Sequence, residues 1–290
     1  MDIIKLIFGF AGGLGMFLYG MHIMSDGLQK SAGGKLKVLL GHLTRNKFVA
    51  VIVGAIVTAV IQSSSATTVM VVGFVNAGMI NLSQAIGVIM GANIGTTITS
   101  WIVSMGEWST FLKPDFTAPL FIGIAAFIIL FFGKNRKRRN IGEIIMGFGL
   151  LFMGLSVMSG AIKPYQNSPV FVDAFAKLGK SPFLGILVGA LVTAIVQSSS
   201  ASLGILQTLA MSMTLSWNSV IFITLGQNIG TCITAVLASI GTNKTAKRAS
   251  AIHLLFNTIG AVIFGIAMYI VFQLNPVFAG SRISSTQISI

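Results

Sequence analysis

Charged residues are scarce in this chain. They make up 9% of its 290 residues, and only six residues are Asp or Glu. A soluble domain carries about 25% charged residues, whereas 54% of this chain is hydrophobic and its mean hydropathy is +0.90. This composition excludes an ordinary soluble protein. It predicts an all-α polytopic membrane protein that forms a single transmembrane domain, with no soluble domain.

Cysteine and histidine are rare as well. The chain has one cysteine, Cys232, and three histidines. One cysteine excludes an internal disulfide and any multi-cysteine metal site. No two histidines have the spacing of metal ligands. We therefore expect no resident metal centre.

The charge that is present is mostly positive, with 19 Lys and Arg residues and a net charge of +13. The densest run, residues 134–139, lies between two apolar stretches. Together with the segments 26–47 and 241–250 it holds 13 of the 19 basic residues. This pattern is typical of cytoplasmic loops under the positive-inside rule, and not of nucleic-acid binding. It predicts a multi-pass protein of the cell (inner or plasma) membrane, with both termini outside.

Six apolar stretches are long enough to cross a bilayer. These predicted spans are 3–25, 84–105, 116–132, 141–160, 217–240 and 251–273. Two further stretches, 48–79 and 183–215, are each interrupted near their middle by four polar residues. The apolar part of the first, Phe48 to Ile61, would rise about 21 Å as a helix. Because the hydrocarbon core is roughly 30 Å thick, we predict two re-entrant helical hairpins.

The interrupting tetrads are copies of one another. Gln62-Ser63-Ser64-Ser65 recurs 135 residues later as Gln197-Ser198-Ser199-Ser200. Residues 53–66 match 188–201 at 11 of 14 positions, and a second block, 91–99, matches 226–234 at 7 of 9. We infer two repeats, 1–140 and 141–290. Each has three spans and one hairpin, and this odd number of crossings predicts that the second repeat is inverted.

The surroundings of both blocks limit the chemistry that they can perform. No Asp, Glu, Lys, Arg or His occurs in 48–106 or in 181–243. Any ion bound there must be held by neutral groups. The start of a half-helix suits an anion, while hydroxyl and amide oxygens suit Na+. A secondary transporter of a small anion fits best, and the residues alone leave open which anion, sulfate for example. The alternatives are a channel or non-transporting scaffold, or motifs needed only for folding.

An intramembrane hydrolase fits poorly. Hydrolysis needs one set of nucleophile, base and oxyanion donors, whereas here the serines are duplicated and only one late histidine, His253, is available as a base. We therefore expect no enzyme. His253 and Asn257 share a helix face, and we expect them to make hydrogen bonds between helices, with proton or substrate handling as the alternative. Glu143 is expected to pair with the adjacent basic run.

These motifs resemble those of the type II sodium-dependent phosphate cotransporter family. The resemblance rests on the paired Gln-Ser-Ser-Ser-Ala motifs, each followed by Gly-x-Asn-Ile-Gly-Thr. The bacterial members are also similar at Val71–Gly78 and at His253–Asn257, and the resemblance covers residues 10–260. It implies a symporter that imports inorganic phosphate by alternating access. Na+ would be the coupling ion, with no other cofactor.

The resemblance also implies which residues bind the ions. Phosphate would be held by Gln62, Ser63, Ser64, Ser65, Gln197, Ser198, Ser199 and Ser200. Na+ would be held by Ser64, Ser65, Thr68, Asn93, Thr96, Ser199, Ser200, Asn228 and Thr231. The expected partners are phosphate, Na+ and the lipid bilayer, and a homodimer is compatible with this architecture.

Overall fold

The computed structural model describes residues 2–32, 46–108, 114–165, 168, 181–212, 215–281 and 283. These residues form helices and connecting turns, and contain no strand. In chain order the α-helices are α1 (Asp2–Ala32), α2 (Lys47–Ile61), α3 (Ser64–Asn76), α4 (Leu82–Trp108), α5 (Pro114–Phe132), α6 (Arg136–Ile162), α7 (Pro182–Val196), α8 (Ser199–Met211), α9 (Trp217–Gly230), α10 (Cys232–Ala238), α11 (Lys244–Leu274) and α12 (Pro276–Gly280). A 3-10 turn, Lys163–Tyr165, follows α6.

The all-helical, polytopic membrane architecture is confirmed. Five segments of the described residues are long and apolar enough to cross a bilayer: Ile4–Ser31, Leu82–Met105, Arg136–Tyr165, Trp217–Ala238 and Lys244–Leu274. The sixth predicted span corresponds to the shorter helix α5, which has 19 residues.

Three helices extend well beyond the apolar stretches that predicted them. Helix α1 continues past residue 25, α6 begins before residue 141 and α11 begins before residue 251. The predicted bounds were too short because loss of hydropathy does not end a helix. Capping side chains do so, and here Asn135 and Asn243 accept backbone N–H bonds at the starts of α6 and α11.

Helices α1 and α6 pack closely and run antiparallel. Gly13 lies against Gly154, and Gly20 against Gly147, so that a Cβ atom added at any of them would meet the opposite backbone. Small residues of this kind allow membrane helices to approach closely.

A salt-bridge cluster joins the end of α1 to the start of α6. Glu143 binds Lys30 Nζ at 3.1 Å and Arg139 Nε at 3.0 Å. The predicted pairing of Glu143 is confirmed. Residues 26–32, the α1 part of the basic segment 26–47, therefore lie at the same end of the molecule as the basic run 134–139. Lys35, Lys37 and Arg45 of that segment lie outside the described residues.

The chain folds back at the first tetrad. Thr58 Oγ1 donates to Thr67 Oγ1 at 3.0 Å, although these residues would stand about 13 Å apart along a continuous helix. Helices α2 and α3 thus form a hairpin, and α7 and α8 have the same bounds 135 residues later. That each hairpin enters and leaves the bilayer on one side stays a prediction.

The units α2–α4 and α7–α9 share their packing. Gly91 of α4 lies against the backbone of Val51 in α2, and Gly226 of α9 against that of Ile186 in α7. Both pairs of residues are related by the offset of 135. The inverted orientation of the two repeats stays a prediction, and its expected boundary after residue 140 falls inside α6.

The two halves differ in other respects. Helix α4 runs without interruption through Thr96, whereas the corresponding stretch breaks at Thr231 between α9 and α10. Helix α11 packs on α3, α4, α9 and α10, but its counterpart α5 packs mainly on α6. Only α11 therefore helps to enclose the space between the halves.

Candidate functional site

A cavity of about 300 Å³ lies between α4 of the first half and α8, α9 and α11 of the second. Its polar lining consists of Asn93, Thr96, Thr97, Thr99, Ser100, Ser199, Ser200, Thr224, Gln227, Asn228 and Asn257. Apolar side chains such as Leu203, Phe256 and Phe264 complete the wall. No acidic, basic or histidine side chain is among the described lining residues. An ion in this cavity would be held by neutral groups, as the sequence predicts.

Five predicted site residues meet in this cavity. Asn93 and Thr96 come from the second block of the first repeat, Asn228 from that of the second repeat, and Ser199 and Ser200 from the second tetrad. The other predicted site residues do not line it: Gln62, Ser63, Ser64, Ser65, Thr68, Gln197, Ser198 and Thr231. The cavity thus joins both repeats but contains only one of the two tetrads.

The second tetrad presents the start of helix α8 to the cavity. Ser198 caps this helix, because its Oγ accepts a hydrogen bond from the Ala201 N–H at 3.2 Å. Ser199 and Ser200, which line the cavity, form the first helical residues. The N–H groups of a first helical turn have no partner within the helix, and they carry the positive end of its dipole. This end of the cavity is suited to an anion.

The first tetrad has the same local geometry but reaches the cavity only indirectly. Ser63 caps α3 through the Ala66 N–H at 3.1 Å. Gln62 Oε1 accepts a hydrogen bond at 3.1 Å from Oγ1 of Thr99, which is 2% exposed and lines the cavity. Ser64 is buried, with its backbone oxygen accepting from Thr68 Oγ1 at 2.7 Å. One hydrogen bond therefore connects this tetrad to the cavity wall.

Both tetrads begin with a glutamine in a left-handed backbone conformation. Gln62 has a φ of 56° and Gln197 a φ of 55°, and among the described residues no other non-glycine has a positive φ. Glycine is the usual residue at such a helix end because it has no Cβ. A glutamine thus occupies, in both repeats, a position whose backbone conformation favours glycine.

The cavity offers both donors and acceptors. The Asn93 Nδ2 atom is buried and has no partner in the described part of the chain. A buried N–H group without an acceptor is costly, so this atom favours an oxyanion or water. The hydroxyl of Thr96 donates to the Ala92 backbone oxygen at 2.9 Å. Its oxygen can still accept from water or bind a cation.

Sequence reasoning missed several lining residues. Thr99 belongs to the duplicated block 91–99, so this signal was available. Gln227 occupies the position that corresponds to Ala92 in the first repeat. Its Nε2 donates to the Ser202 backbone oxygen at 3.0 Å and so joins α9 to α8. Asn257 lies outside both duplicated blocks, and the sequence predicts interhelical hydrogen bonding for it before any contact with an ion.

The expected hydrogen bonding of His253 and Asn257 is confirmed only in part. Asn257 Nδ2 donates to the His253 backbone oxygen at 2.9 Å within α11, and the Asn257 side chain also contacts the Cys232 thiol of α10. The ring nitrogens of His253 are buried and have no partner among the described residues.

Comparison with known proteins identifies a family and several relatives of this chain. The family model described as Na+/Pi-cotransporter matches residues 16–160 and 167–280. "Uncharacterized protein YqeW" of Bacillus subtilis is 29% identical over 85% of this chain and 78% of its own length. "Putative inorganic phosphate export protein YjbB" of Escherichia coli is also 29% identical, over 86% of this chain. "Sodium-dependent phosphate transport protein 2A" of Rattus norvegicus is 35% identical over 35% of this chain.

The matches cover different shares of these relatives. This chain spans 44% of the length of the Escherichia coli protein, and the match to the rat protein covers 16% of that protein. No solved structure matches the chain significantly. The family consists of membrane transporters for phosphate and Na+, and not of enzymes. With a family model matched along almost its whole length, the chain belongs to the Na+/Pi-cotransporter family.

Proposed function

We propose that the protein is a symporter that imports inorganic phosphate with Na+, using the cavity between its two repeats as the binding site. The observation that carries this proposal is an uncharged polar cavity, at the start of a half-helix, that is lined by the duplicated blocks. Family membership supports phosphate transport. The cavity supports the specific mechanism.

Phosphate would bind at the start of α8. The N–H groups of the first turn, the Ser199 and Ser200 hydroxyls and Asn93 Nδ2 supply donors without a formal positive charge. Charge-assisted hydrogen bonds of this kind are roughly twice as strong as neutral ones. Because no cationic side chain is present among the lining residues, a co-bound cation is needed to offset the charge of phosphate.

Na+ would supply that charge. Hard cations prefer oxygen ligands, and the cavity offers hydroxyl and amide oxygens from Thr96, Asn228, Ser199 and Ser200. The predicted ligands Ser64, Ser65, Thr68 and Thr231, and the first tetrad as a whole, would contribute after a rearrangement of the repeats. That rearrangement is the alternating-access step of the proposal.

Uptake into proteoliposomes tests this function. Radiolabelled phosphate is added outside vesicles that hold the purified protein, with an inward gradient of NaCl or of choline chloride. We expect uptake only with NaCl, and competition by unlabelled phosphate but not by sulfate. Equal competition by sulfate would make the protein a transporter of another small anion. No gradient-dependent movement from folded protein would favour a scaffold or channel.

The direction of transport needs its own measurement. The Escherichia coli relative is named as an export protein, so export is the second candidate. Vesicles loaded with labelled phosphate and given an outward Na+ gradient report efflux. Limited protease digestion of the exposed loops reports how the protein is oriented. If protein in the predicted orientation releases phosphate under a Na+ gradient like that of a cell, the proposed import is wrong and the protein is an exporter.

Serine variants test the role of the tetrads. We expect Ser199→Ala to raise the KM for phosphate about tenfold or more, since a hydrogen bond to a charged ligand is worth about 1.5–3 kcal/mol. Ser64→Ala, at the matching position of the first repeat, should also impair transport if both tetrads take part. Ser83→Ala, an exposed serine of α4 outside the cavity, is the control. If Ser64→Ala has the transport activity of the wild type, only the second tetrad takes part in phosphate binding.

A further inference from the structure

The α11 wall of the cavity has no counterpart in the first repeat. Asn257 lines the cavity and is 8% exposed. The residue 135 positions earlier is Ile122, on α5, which packs mainly on α6. Asn257 also lies outside both duplicated blocks. Asn257 is therefore a polar lining residue that has no equivalent in the first repeat and that the internal duplication does not predict.

The Asn257 side chain is held in a defined orientation. Its Nδ2 donates to the His253 backbone oxygen at 2.9 Å. A backbone oxygen can only accept a hydrogen bond, so nitrogen must be the amide atom that faces it. The carbonyl oxygen Oδ1 is the atom that this bond leaves uncommitted. An amide oxygen is an acceptor with two lone pairs, so it suits a cation and not a phosphate oxygen.

The register of α11 places Asn257 at about the height of the first tetrad. At the start of α11, Asn243 N donates to Asn76 Oδ1 at 2.9 Å, and Asn243 Nδ2 donates to Asn76 O at 3.0 Å. Asn76 is the last residue of α3, which packs along α11. Asn257 lies 14 residues, about 21 Å, along α11 from Asn243, and Ser64, the first residue of α3, lies 12 residues, about 18 Å, from Asn76. Asn257 is therefore level with the first tetrad, on the wall of a cavity that contains the second.

We propose that Asn257 Oδ1 is a direct ligand of the coupling Na+, contributed by the second repeat alone. This inference rests on the proposed Na+-coupled function. A cation at Asn257 would share the cavity with an anion at Ser199 and Ser200, so that each ion offsets the charge of the other. Neutral oxygens close to broken helices are the usual Na+ ligands of transporters.

Thermal unfolding of the purified full-length protein, without phosphate, tests the proposal. NaCl is titrated against choline chloride at constant ionic strength. A ligand that binds only the folded state raises Tm according to its concentration relative to Kd. For Asn257→Ala we expect the Na+ concentration at half-maximal stabilisation to rise about tenfold or more, as for loss of one contact to an ion. Asn257→Asp, which keeps an oxygen at this position, should retain the Na+ response.

Thr258→Ala is the matched control, because Thr258 is the next residue of α11 and does not line the cavity. Its Na+ midpoint should equal that of the wild type. If Asn257 only joined α11 to α10 through Cys232, Asn257→Ala would lower Tm in choline and leave the Na+ midpoint unchanged. That outcome would overturn the inference and leave the proposed function intact.

Failure of the proposed function and misfolding of a variant must be distinguished from loss of a Na+ ligand. If neither Na+ nor phosphate stabilises the wild type, the proposed function fails and this inference fails with it. Gel filtration checks that each variant is folded. Should Asn257→Ala aggregate, Asn257→Val, which fills the same space without an oxygen, is measured in its place. An unchanged Na+ midpoint in that variant also counts against the inference.

Discussion

Helices α2 and α4 pack without room for a side chain at Gly91, two residues before Asn93 of the cavity. A Cβ atom added at Gly91 would lie 2.8 Å from both the Ala55 nitrogen and the Val51 carbonyl carbon, and closer still to the Val51 oxygen. Ordinary van der Waals contacts begin at 3.4 Å. Gly91→Ala therefore requires α2 and α4 to separate, because the opposing atoms are backbone and cannot rotate away.

The size of this effect follows from the geometry. The two 2.8 Å contacts alone require a displacement of about 0.6 Å, and the Val51 oxygen requires more. Overpacking of this kind typically costs about 1–3 kcal/mol. The upper end is expected here, because a whole helix must move and because packed interiors do not deform easily. The movement would also displace Asn93 from the other lining residues.

Thermal unfolding in detergent measures the loss of stability, and phosphate uptake in proteoliposomes measures the effect of displacing Asn93. Gly226→Ala makes the same change in the second repeat, where a Cβ atom would meet Ala190 N at 2.9 Å and come still closer to the Ile186 oxygen. We expect both variants to unfold at lower temperature than the wild type and to lose most of their uptake.

Gly73→Ala is the control for this pair. Gly73 is exposed on α3 and has nothing within 4 Å of an added Cβ atom. Because alanine favours a helix over glycine by about 1 kcal/mol, this variant should be as stable as the wild type or slightly more stable. Two results would refute the reasoning: a Gly91→Ala protein with wild-type stability, or a Gly73→Ala protein that is equally damaged.

Two further predictions concern the tetrads and the salt-bridge cluster. Gln197→Gly removes an exposed side chain from a left-handed position, so thermal unfolding should show unchanged or slightly raised stability, by up to about 1 kcal/mol. Phosphate uptake should fall if the side chain serves transport, and unchanged uptake would assign it no role. Glu143→Gln breaks the pairs with Lys30 and Arg139 and should lower stability by about 1 kcal/mol or less per pair. This loss should shrink in high salt, and a loss that is independent of salt would contradict an electrostatic origin.

The helical membrane fold could be predicted from the sequence because its signals are local. Composition indicates a membrane protein, and the bounds of α2, α3, α7 and α8 follow from where the apolar stretches meet the tetrads. The ends of α1, α6 and α11 were missed because a capping asparagine, and not hydropathy, decides where α6 and α11 begin. Composition alone does not place such caps.

The candidate site was predictable only where it is duplicated. Asn93 and Asn228 were found because two copies of one motif stand out against different surroundings. Asn257 was recognised as a polar position, but its place in the cavity depends on how α11 packs across the other repeat. No local pattern encodes that contact, and Ile122 at the matching position gives no hint of it.

Two kinds of asymmetry can be distinguished between the repeats. The tetrads are identical in sequence and share their helix bounds, yet only the second lines the cavity. In the proposed alternating-access mechanism, a second conformation would bring the first tetrad to the cavity, so this difference depends on the conformation. The contrasts between Thr97 and Cys232, and between Ile122 and Asn257, are fixed by the sequence and cannot be exchanged. In the proposed mechanism the α11 wall would line the site in both conformations. A cation bound by Asn257 would then keep this ligand while the first tetrad joins the site, until Na+ and phosphate are both released.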